Sequence, residues 1–189
     1  MTAAVVALGS NLGDRVLNLE TAAARIRSTC AAPGSLRASH VYETPPWGGV
    51  PQPEYLNAAV LFETPLESRT LLTALLAIET EAGRVRGGER WGPRTIDLDL
   101  LDLGGAIADE ADLVLPHPRI AERAFVLVPL CEIAPNWRHP LTGLTAAEML
   151  IILNPDPSEA RLFGSLRVGG TGEERGAESG AKRSDIHRH

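Results

Sequence analysis

Along the chain, β-rich and helical patterns follow one another in the order β, α, β, β, α, β, with further helices after them. Four short segments are rich in β-branched and other apolar residues, as strands are: residues 3–8, 36–44, 55–64 and 95–103. Four other segments repeat apolar side chains at the spacing of a helix face: residues 13–30, 66–82, 121–133 and 145–153. This order predicts an α+β protein with a mainly antiparallel sheet and helices packed on it.

The length of 189 residues is enough for one sizeable hydrophobic core. We assign that core to one domain, residues 1–164, because apolar residues become scarce from there on and almost none follow Val168. A segment so poor in apolar residues cannot offset its ordering entropy by burial. Residues 165–189 are therefore predicted to form a disordered tail.

Charge and hydropathy exclude several classes of protein. The net charge of −6 divides into −7 for residues 1–164 and +1 for the tail, which argues against a broad basic face for nucleic acid. No apolar run reaches the roughly 20 residues that a membrane helix needs. The first eight residues contain no basic residue, unlike a secretory signal. We expect a cytoplasmic protein with no nucleic-acid or membrane partner.

The basic residues are almost all arginine, since the single lysine, Lys182, lies in the tail. The domain therefore offers no lysine for a Schiff base or for the phosphate-binding position of a P-loop. Cys30 and Cys131 are a hundred positions apart and lack metal-ligand spacing, which favours two reduced, buried thiols.

The strongest local signal is the pair Asp97 and Asp99 within a predicted strand. Side chains alternate between the two faces of a strand, so both carboxylates point the same way and Leu98 points the other way. Two adjacent carboxylates repel, and a hard divalent cation such as Mg²⁺ relieves that repulsion. An isolated pair of this kind is also typical of a solvated edge strand.

Four arginines precede this pair within eleven residues: Arg84, Arg86, Arg90 and Arg94. A guanidinium presents a fixed fork of donors that matches phosphate oxygens, and it stays protonated. Cations beside a two-carboxylate metal pair indicate a triphosphate site.

Several of the eight aromatic residues fall in or next to loops, where large rings are not needed for packing. Trp47 and Trp91 are in loops, Tyr55 begins a strand and Phe125 follows Arg123 closely. Such rings suit a flat heteroaromatic ligand, because ring stacking adds roughly 0.5 to 1.5 kcal/mol beyond burial. Asn57 shares a strand face with Tyr55 and can both donate to and accept from a pyrimidinone edge.

These residues lie in motifs that resemble the 6-hydroxymethyl-7,8-dihydropterin pyrophosphokinase family. The resemblance covers residues 1 to about 155, in order and with the expected spacings. It is most specific in RWGPRTIDLDLL from Arg90 and in PHPR…RAFVL from Pro116, and is supported by ALGSNLG from Ala7, YETPP from Tyr42 and YLNAAV from Tyr55. The family implies a ferredoxin-like α+β fold and transfer of the β,γ-diphosphate of ATP to the pterin hydroxymethyl group, with release of AMP, in folate synthesis.

The resemblance also implies a role for individual residues. Asp97 and Asp99 resemble the ligands of two Mg²⁺ ions, and Arg84 and Arg94 resemble arginines that assist transfer. Residues at ATP-contacting positions are Glu79, Arg86, Arg90, Trp91, Leu100, His117 and Arg123. Residues at pterin-contacting positions are Thr44, Pro45, Trp47, Tyr55, Asn57, Trp91 and Phe125. Leu76 and Asp112 depart from the polar and basic residues that some members have there. The expected partners are ATP and the pterin alone, bound to a monomer.

Two alternatives use the same residues differently. Another Mg²⁺-dependent phosphate enzyme, such as a nucleotidyltransferase or nuclease, would share the aspartate pair but would need a wider basic surface. A non-catalytic ferredoxin-like module that binds a nucleotide is the second alternative, since fold alone does not imply catalysis.

Overall fold

The structure is a computed structural model that describes residues 1–47, 51–83 and 92–169. The strands in these ranges are β1 (Thr2–Ser10), β2 (Arg37–Ala38), β3 (His40–Thr44), β4 (Tyr55–Thr64), β5 (Asp97–Leu103), β6 (Ala108–Glu110), β7 (Leu113–Leu115) and β8 (Arg161–Ser165). The helices are α1 (Arg15–Thr29), α2 (Ser68–Glu81), α3 (Ala124–Ile133) and α4 (Ala146–Leu153), with short 3-10 helices at Ile120–Glu122 and Pro157–Glu159.

The main sheet has the strand order β5-β1-β4-β3-β8, with β2 also paired to β4, and all its neighbours are antiparallel. Helix α1 connects β1 to the β2–β3 segment, and α2 connects β4 to β5. This is the ferredoxin-like α+β arrangement, as predicted. The two longest strands, β1 and β4, lie at the centre and form the pair on which the rest of the sheet is built.

Helices cover both faces of the sheet. Leu19 and Ile26 of α1 and Leu75 of α2 pack in the core on one face. Val126 and Leu130 of α3 pack in a second core on the other face, together with α4. Because strand side chains alternate, neighbouring strand residues contribute to opposite cores.

The helix ends have identifiable stabilising contacts. Asp14 caps α1 by accepting a hydrogen bond from the Leu17 N–H at 3.0 Å, and Thr145 with Glu148 forms a capping box on α4. Gly83 follows α2 with φ +83°, a conformation that favours glycine, and so ends that helix. No helix in the described ranges is long and apolar enough to cross a membrane.

The predicted strand over residues 36–44 is interrupted. Ser39 separates β2 from β3, and its hydroxyl accepts a hydrogen bond from the Ala59 N–H at 2.9 Å. The short hairpin of β6 and β7 was not predicted, because three-residue strands are too short to show a periodic pattern.

The C-terminal boundary of the packed domain also differs from the prediction. Strand β8 pairs with β3, Leu166 is 9% exposed, and the Val168 carbonyl accepts a hydrogen bond from Arg27 at 3.0 Å. Residues 165–169, assigned to the tail from composition, therefore pack against the domain. Residues 170–189, the rest of the predicted tail, lie outside the described residues.

Both cysteines are free thiols. Cys30 is buried and Cys131 is half-buried, and burial raises the pKa of each thiol above its ordinary value. A raised pKa keeps these thiols protonated and unreactive, as expected of small side chains that serve packing.

Candidate active site

The ends of four strands meet at one edge of the sheet. Gly9, near the end of β1, lies opposite Asn57 of β4 and also opposite Asp97 of β5. On the far side of β4, Thr44 lies opposite Tyr55. Sheet register therefore brings together residues that are far apart in the sequence.

Asp97 and Asp99 line the same cavity, whereas Leu98 between them packs in the core on the opposite face of the sheet. This is the arrangement that strand alternation predicted. Burial raises the pKa of Asp99 to about 6, and the charge of Asp97 acts in the same direction. The guanidiniums of Arg123 and Arg94 offset only part of this effect. At Asp99, burial therefore outweighs the two guanidiniums, so this carboxyl holds its proton more tightly than an exposed one does.

Arg94 contacts this pair directly. Its Nη1 donates to Asp97 Oδ2 at 2.6 Å. Its backbone N–H donates to Asn11 Oδ1 at 2.7 Å, and its carbonyl accepts from the Asn11 N–H at 3.1 Å. The end of β1 therefore fixes the backbone of the arginine that reaches the aspartates.

Arg123, just before α3, reaches the pair from the other side. Its Nη1 lies 3.6 Å from Asp99 Oδ2. Its Cζ lies 4.9 Å from the ring centre of Trp47 and 5.3 Å from that of Phe125, within range of cation–π attraction. Arg123 thus connects the acidic pair to two of the predicted ring-binding residues.

The first cavity has a volume of about 240 Å³ and combines aromatic walls with polar groups. Asn57 Nδ2 donates to Thr44 Oγ1 at 2.8 Å, and the Tyr55 hydroxyl lies 3.3 Å from the Gly92 carbonyl. The residues that line it are Ala7, Leu8, Gly9, Thr44, Pro45, Trp47, Tyr55, Asn57, Arg94, Asp97, Asp99, His117, Arg123 and Phe125. We call it the ring cavity, and its lining includes every described residue among those predicted for the pterin site.

A second cavity of about 510 Å³, which we call the nucleotide cavity, lies beside it. Its walls come from α2, β5, the β6–β7 hairpin and the segments just before β5 and just after β7. The residues that line it are Leu72, Leu76, Glu79, Arg94, Asp97, Leu98, Asp99, Leu100, Ala111, Asp112, Leu113, Val114, His117 and Pro118. Arg94, Asp97, Asp99 and His117 line both cavities. The two cavities therefore meet at the aspartate pair.

Of the residues predicted to contact the nucleotide, Leu100 and Glu79 line this second cavity. Leu76 and Asp112, at which the sequence departs from some family members, line it too. Glu79 is 1% exposed and its Oε1 accepts a hydrogen bond from the Leu98 N–H at 2.8 Å. That contact to the backbone was not foreseen from the sequence.

His117 also lies between the two cavities. Its Nδ1 accepts a hydrogen bond from the Arg119 N–H at 3.2 Å, so the neutral ring has its proton on Nε2. Burial lowers the pKa of His117 to about 4, and the charges of Arg123 and Arg119 add to this effect. At neutral pH the side chain is therefore an uncharged hydrogen-bond donor.

Not every predicted residue can be located. Arg84, Arg86, Arg90 and Trp91 lie outside the described residues. In the described ranges, no three His, Cys, Asp or Glu side chains are grouped so that they could hold a metal ion.

Sequence reasoning missed several residues that shape the site. Asn11 is 2% exposed and its Nδ2 donates to Gln52 Oε1 at 3.0 Å. A Cβ added at Gly9 would lie 2.9 Å from Asn57 Oδ1, so a larger residue there would force the Asn57 amide to move. Gly9 lies near the end of β1 and Asn11 just after it, and Gly and Asn at the end of a strand are too common to identify a site.

Solved structures have the same fold. The chain superposes on a chain described as HPPK-DHPS in complex with substrates, with a TM-score of 0.61 and 14% identity over 81% of this chain. A Plasmodium falciparum HPPK-DHPS with pteroate gives a TM-score of 0.61 and 16% identity, also over 81% of this chain. The chain spans 43% and 42% of those longer chains.

Sequence relatives are much more similar. The chain is 46% identical, over 84% of its length and 98% of the relative, to the 2-amino-4-hydroxy-6-hydroxymethyldihydropteridine pyrophosphokinase of Methylorubrum extorquens. The protein of the same name from Synechocystis is 44% identical over 78% of this chain and 74% of its own. A model of the 7,8-dihydro-6-hydroxymethylpterin-pyrophosphokinase (HPPK) family matches residues 5–135. Because the family model matches most of the chain and these relatives are 44–46% identical to it, this chain belongs to that pyrophosphokinase family.

Proposed function

We propose that this chain transfers the β,γ-diphosphate of ATP to the hydroxymethyl group of 6-hydroxymethyl-7,8-dihydropterin, releasing AMP, in folate biosynthesis. The single observation on which the proposal depends most is the meeting of two cavities at Asp97 and Asp99. One cavity suits a flat ring and the other suits a nucleotide. A group moving from one ligand to the other would cross the acidic pair.

In this reaction the hydroxymethyl oxygen forms a bond to the β-phosphorus of ATP. The bond between that phosphorus and the oxygen bridging to the α-phosphate breaks, and AMP leaves with the electron pair. The hydroxyl proton is lost to the surrounding water. Such a transfer depends on positioning and on charge stabilisation, so it needs no nucleophilic side chain.

The ring cavity is suited to the acceptor. Tyr55 and Phe125 provide aromatic surface for stacking. Asn57 donates one amide hydrogen to Thr44, and its second amide hydrogen and its carbonyl can recognise the polar edge of a pterin.

The aspartate pair fits Mg²⁺, the expected cofactor. Both candidate ligands are carboxylates on one strand face, and Arg94 and Arg123 offset only part of the rise in the pKa of Asp99 that burial causes. Mg²⁺ typically binds one or two carboxylates and takes its other ligands from phosphate and water, so a site without a third protein ligand is adequate. We expect two ions, held by Asp97 and Asp99. When bound, they supply charge neutralisation at the phosphate oxygens.

The arginines complete the proposed site. Arg94 is fixed through its backbone and lies at the boundary of the two cavities, where it can approach the phosphates during transfer. Arg84 is assigned a similar role from the family resemblance, as are Arg86, Arg90 and Trp91 in nucleotide binding. The proposed enzyme is a cytoplasmic monomer whose partners are its two substrates.

The test is to incubate the protein with MgATP and the pterin and to identify the products. AMP together with the pterin diphosphate is the expected result. Formation of ADP would indicate an ordinary kinase, release of inorganic pyrophosphate a nucleotidyltransferase, and binding without turnover a sensor. Each of these three outcomes would overturn the proposal.

Variants test the assigned roles. Asp97→Ala and Asp99→Ala should abolish turnover while the protein stays folded, whereas Asp109→Ala, at an exposed position on β6, should have full activity. Near-normal activity of either cavity variant would refute the metal assignment.

Arg94→Ala should lower kcat more than it weakens pterin binding, since its charge matters most as charge shifts on the phosphates.

A further inference from the structure

The last residue pair between β3 and β4 lies at the ring cavity. Thr44, the last residue of β3, is opposite Tyr55, the first residue of β4, and both line the cavity. The β3–β4 pairing ends here, and the ends of an element open more easily than its middle. The positions of these two ring-cavity residues therefore depend on what else holds the strand ends.

Arg15 holds both strand ends through one atom. Its Nη1 donates to Glu43 Oε1 at 3.0 Å and to the backbone carbonyl of Glu54 at 2.8 Å. Glu43 directly precedes Thr44 in the chain. Glu54 likewise directly precedes Tyr55. The guanidinium thus connects the residues that stand just before the two members of the pair.

These contacts lie on the face of the sheet opposite to the ring cavity. Side chains alternate along β3, so Glu43 points away from the face on which Thr44 lines the cavity. Arg15 is the first residue of α1, which packs on that other face. Among the described residues, the lining of neither cavity includes Arg15. Any effect of Arg15 on a ligand must therefore pass through the backbone that it holds.

A second arginine binds the same two glutamates from β8. Arg161 lies opposite Glu43 in the β3–β8 pairing, and its Nη2 donates to Glu43 Oε2 at 3.3 Å and to Glu54 Oε2 at 2.8 Å. The side chains of Arg15 and Glu43 are only 27% and 23% exposed. Water and salt screen a partly buried network less than an isolated surface pair. The network can therefore contribute to fixing the strand ends.

We propose that Arg15 is a positioning residue for the pterin: it holds β3 and β4 at the separation at which Thr44 and Tyr55 fit the ring. Thr44 Oγ1 accepts a hydrogen bond from Asn57, so a shift of Thr44 would also move the amide assigned to the polar edge of the pterin. Displacements of about 1 Å are enough to impair a positioned site. The inference rests on the proposed function, because it assigns a role in binding that reaction's acceptor.

The experiment compares Arg15→Met with a matched control on the same helix. Arg15→Met keeps most of the length of the side chain and removes its donors. Arg25→Met, the control, breaks the ion pair of Arg25 with Glu81. Calorimetry in the presence of Mg²⁺ and α,β-methylene-ATP, which cannot be cleaved between its α- and β-phosphates, measures the Kd for the pterin. Steady-state kinetics give the KM for ATP.

We expect Arg15→Met to raise the Kd for the pterin about fivefold and to change the KM for ATP less than about twofold. Arg25→Met should change neither. Arg15→Lys should recover part of the affinity, because both hydrogen bonds come from one nitrogen and an ammonium can donate to both acceptors. Arg161 still pairs with both carboxylates in these variants, so they should stay folded, which urea unfolding checks.

Unchanged pterin affinity in Arg15→Met would overturn the inference. So would equal losses for the pterin and ATP, since a general loosening of the domain would affect both substrates. Failure of the proposed function is recognised separately, by the absence of AMP release from the unaltered protein. Pterin affinity measured by calorimetry needs no turnover and then still decides the role of Arg15.

Discussion

The carboxylate of Glu79 accepts a hydrogen bond at 2.8 Å from the backbone N–H of Leu98, the residue between Asp97 and Asp99. Strand β5 pairs only with β1 within the described sheet, so an N–H on its open side needs an acceptor from elsewhere. Helix α2 supplies it with a side chain that is 1% exposed. The contact fixes the strand backbone at the point from which both aspartates project.

Glu79→Ala is expected to lower both stability and activity. The Leu98 N–H would lose its acceptor in a buried place, which costs about 2 kcal/mol of unfolding free energy. The aspartates would be held less firmly, so kcat should fall as well. Glu79→Gln keeps an acceptor oxygen and should be closer to the unaltered protein in urea unfolding. A rise in the KM for ATP in Glu79→Gln, with stability unchanged, would instead favour direct contact with nucleotide.

Asp99 should make the metal-free protein less stable as the pH rises. Its pKa of about 6 in the folded protein exceeds the ordinary value of 3.8, so the folded state binds the proton more tightly than the unfolded chain does. The resulting stabilisation is complete below pH 3.8 and is lost as the pH rises through 6.

Asp99→Asn removes this loss. In the presence of a chelator at pH 7.5, the variant should be more stable than the unaltered protein by about 1 kcal/mol, less than the full shift because the side chain is partly exposed. The difference should vanish toward pH 4, as urea unfolding at several pH values would show. His117 titrates in both proteins and cancels in the comparison. Parallel stability curves across this range would contradict the prediction.

The sequence patterns that predicted structure correctly were the periodic ones. Alternation along β5 placed Asp97 and Asp99 on one face, and the apolar stripe of α2 placed Leu75 in the core. The order of the segments was sufficient to predict the antiparallel sheet. These features depend on local geometry, which repeats along the chain.

The contacts that were missed depend on residues far apart in the sequence. Strand β8 pairs with β3 across more than a hundred residues, and Glu79 bonds to a backbone group that has no sequence signature. Trp47 and Phe125 were assigned to the ring site, but the stacking of Arg119 and Arg123 on Trp47 becomes visible only in three dimensions.

Gly9→Ala should weaken pterin binding selectively. The new Cβ would lie 2.9 Å from Asn57 Oδ1, too close for the amide to keep its position beside Thr44. We expect the Kd for the pterin to rise about tenfold, equivalent to about 1.4 kcal/mol, while the KM for ATP changes little. Gly164→Ala is the matched control, because no atom lies within 4 Å of the position of its Cβ. An equal effect of both substitutions on pterin affinity would argue against this role for Gly9.

Asn11 connects the loop beside the ring cavity to the backbone of Arg94, and its substitution should weaken the binding of both substrates. Its Nδ2 donates to Gln52 Oε1 at 3.0 Å and to the Pro53 carbonyl at 3.2 Å, and its Oδ1 accepts from the Arg94 N–H at 2.7 Å. Asn11→Ala removes all three contacts from a position that is 2% exposed, so it should cost about 3 kcal/mol of stability and raise the KM for both substrates.

Asn11→Asp distinguishes the hydrogen bond that Asn11 accepts from the two that it donates. It keeps an acceptor for the Arg94 N–H but loses both donated hydrogen bonds to the loop beside the ring cavity. The KM for the pterin should therefore rise several-fold more than that for ATP in steady-state kinetics. Asn136→Ala, at an exposed asparagine, is the control and should change neither. If Asn11→Asp raised both KM values equally, the donated bonds to Gln52 and Pro53 would not be what shapes the pterin site, and the Arg94 contact alone would account for the role of Asn11.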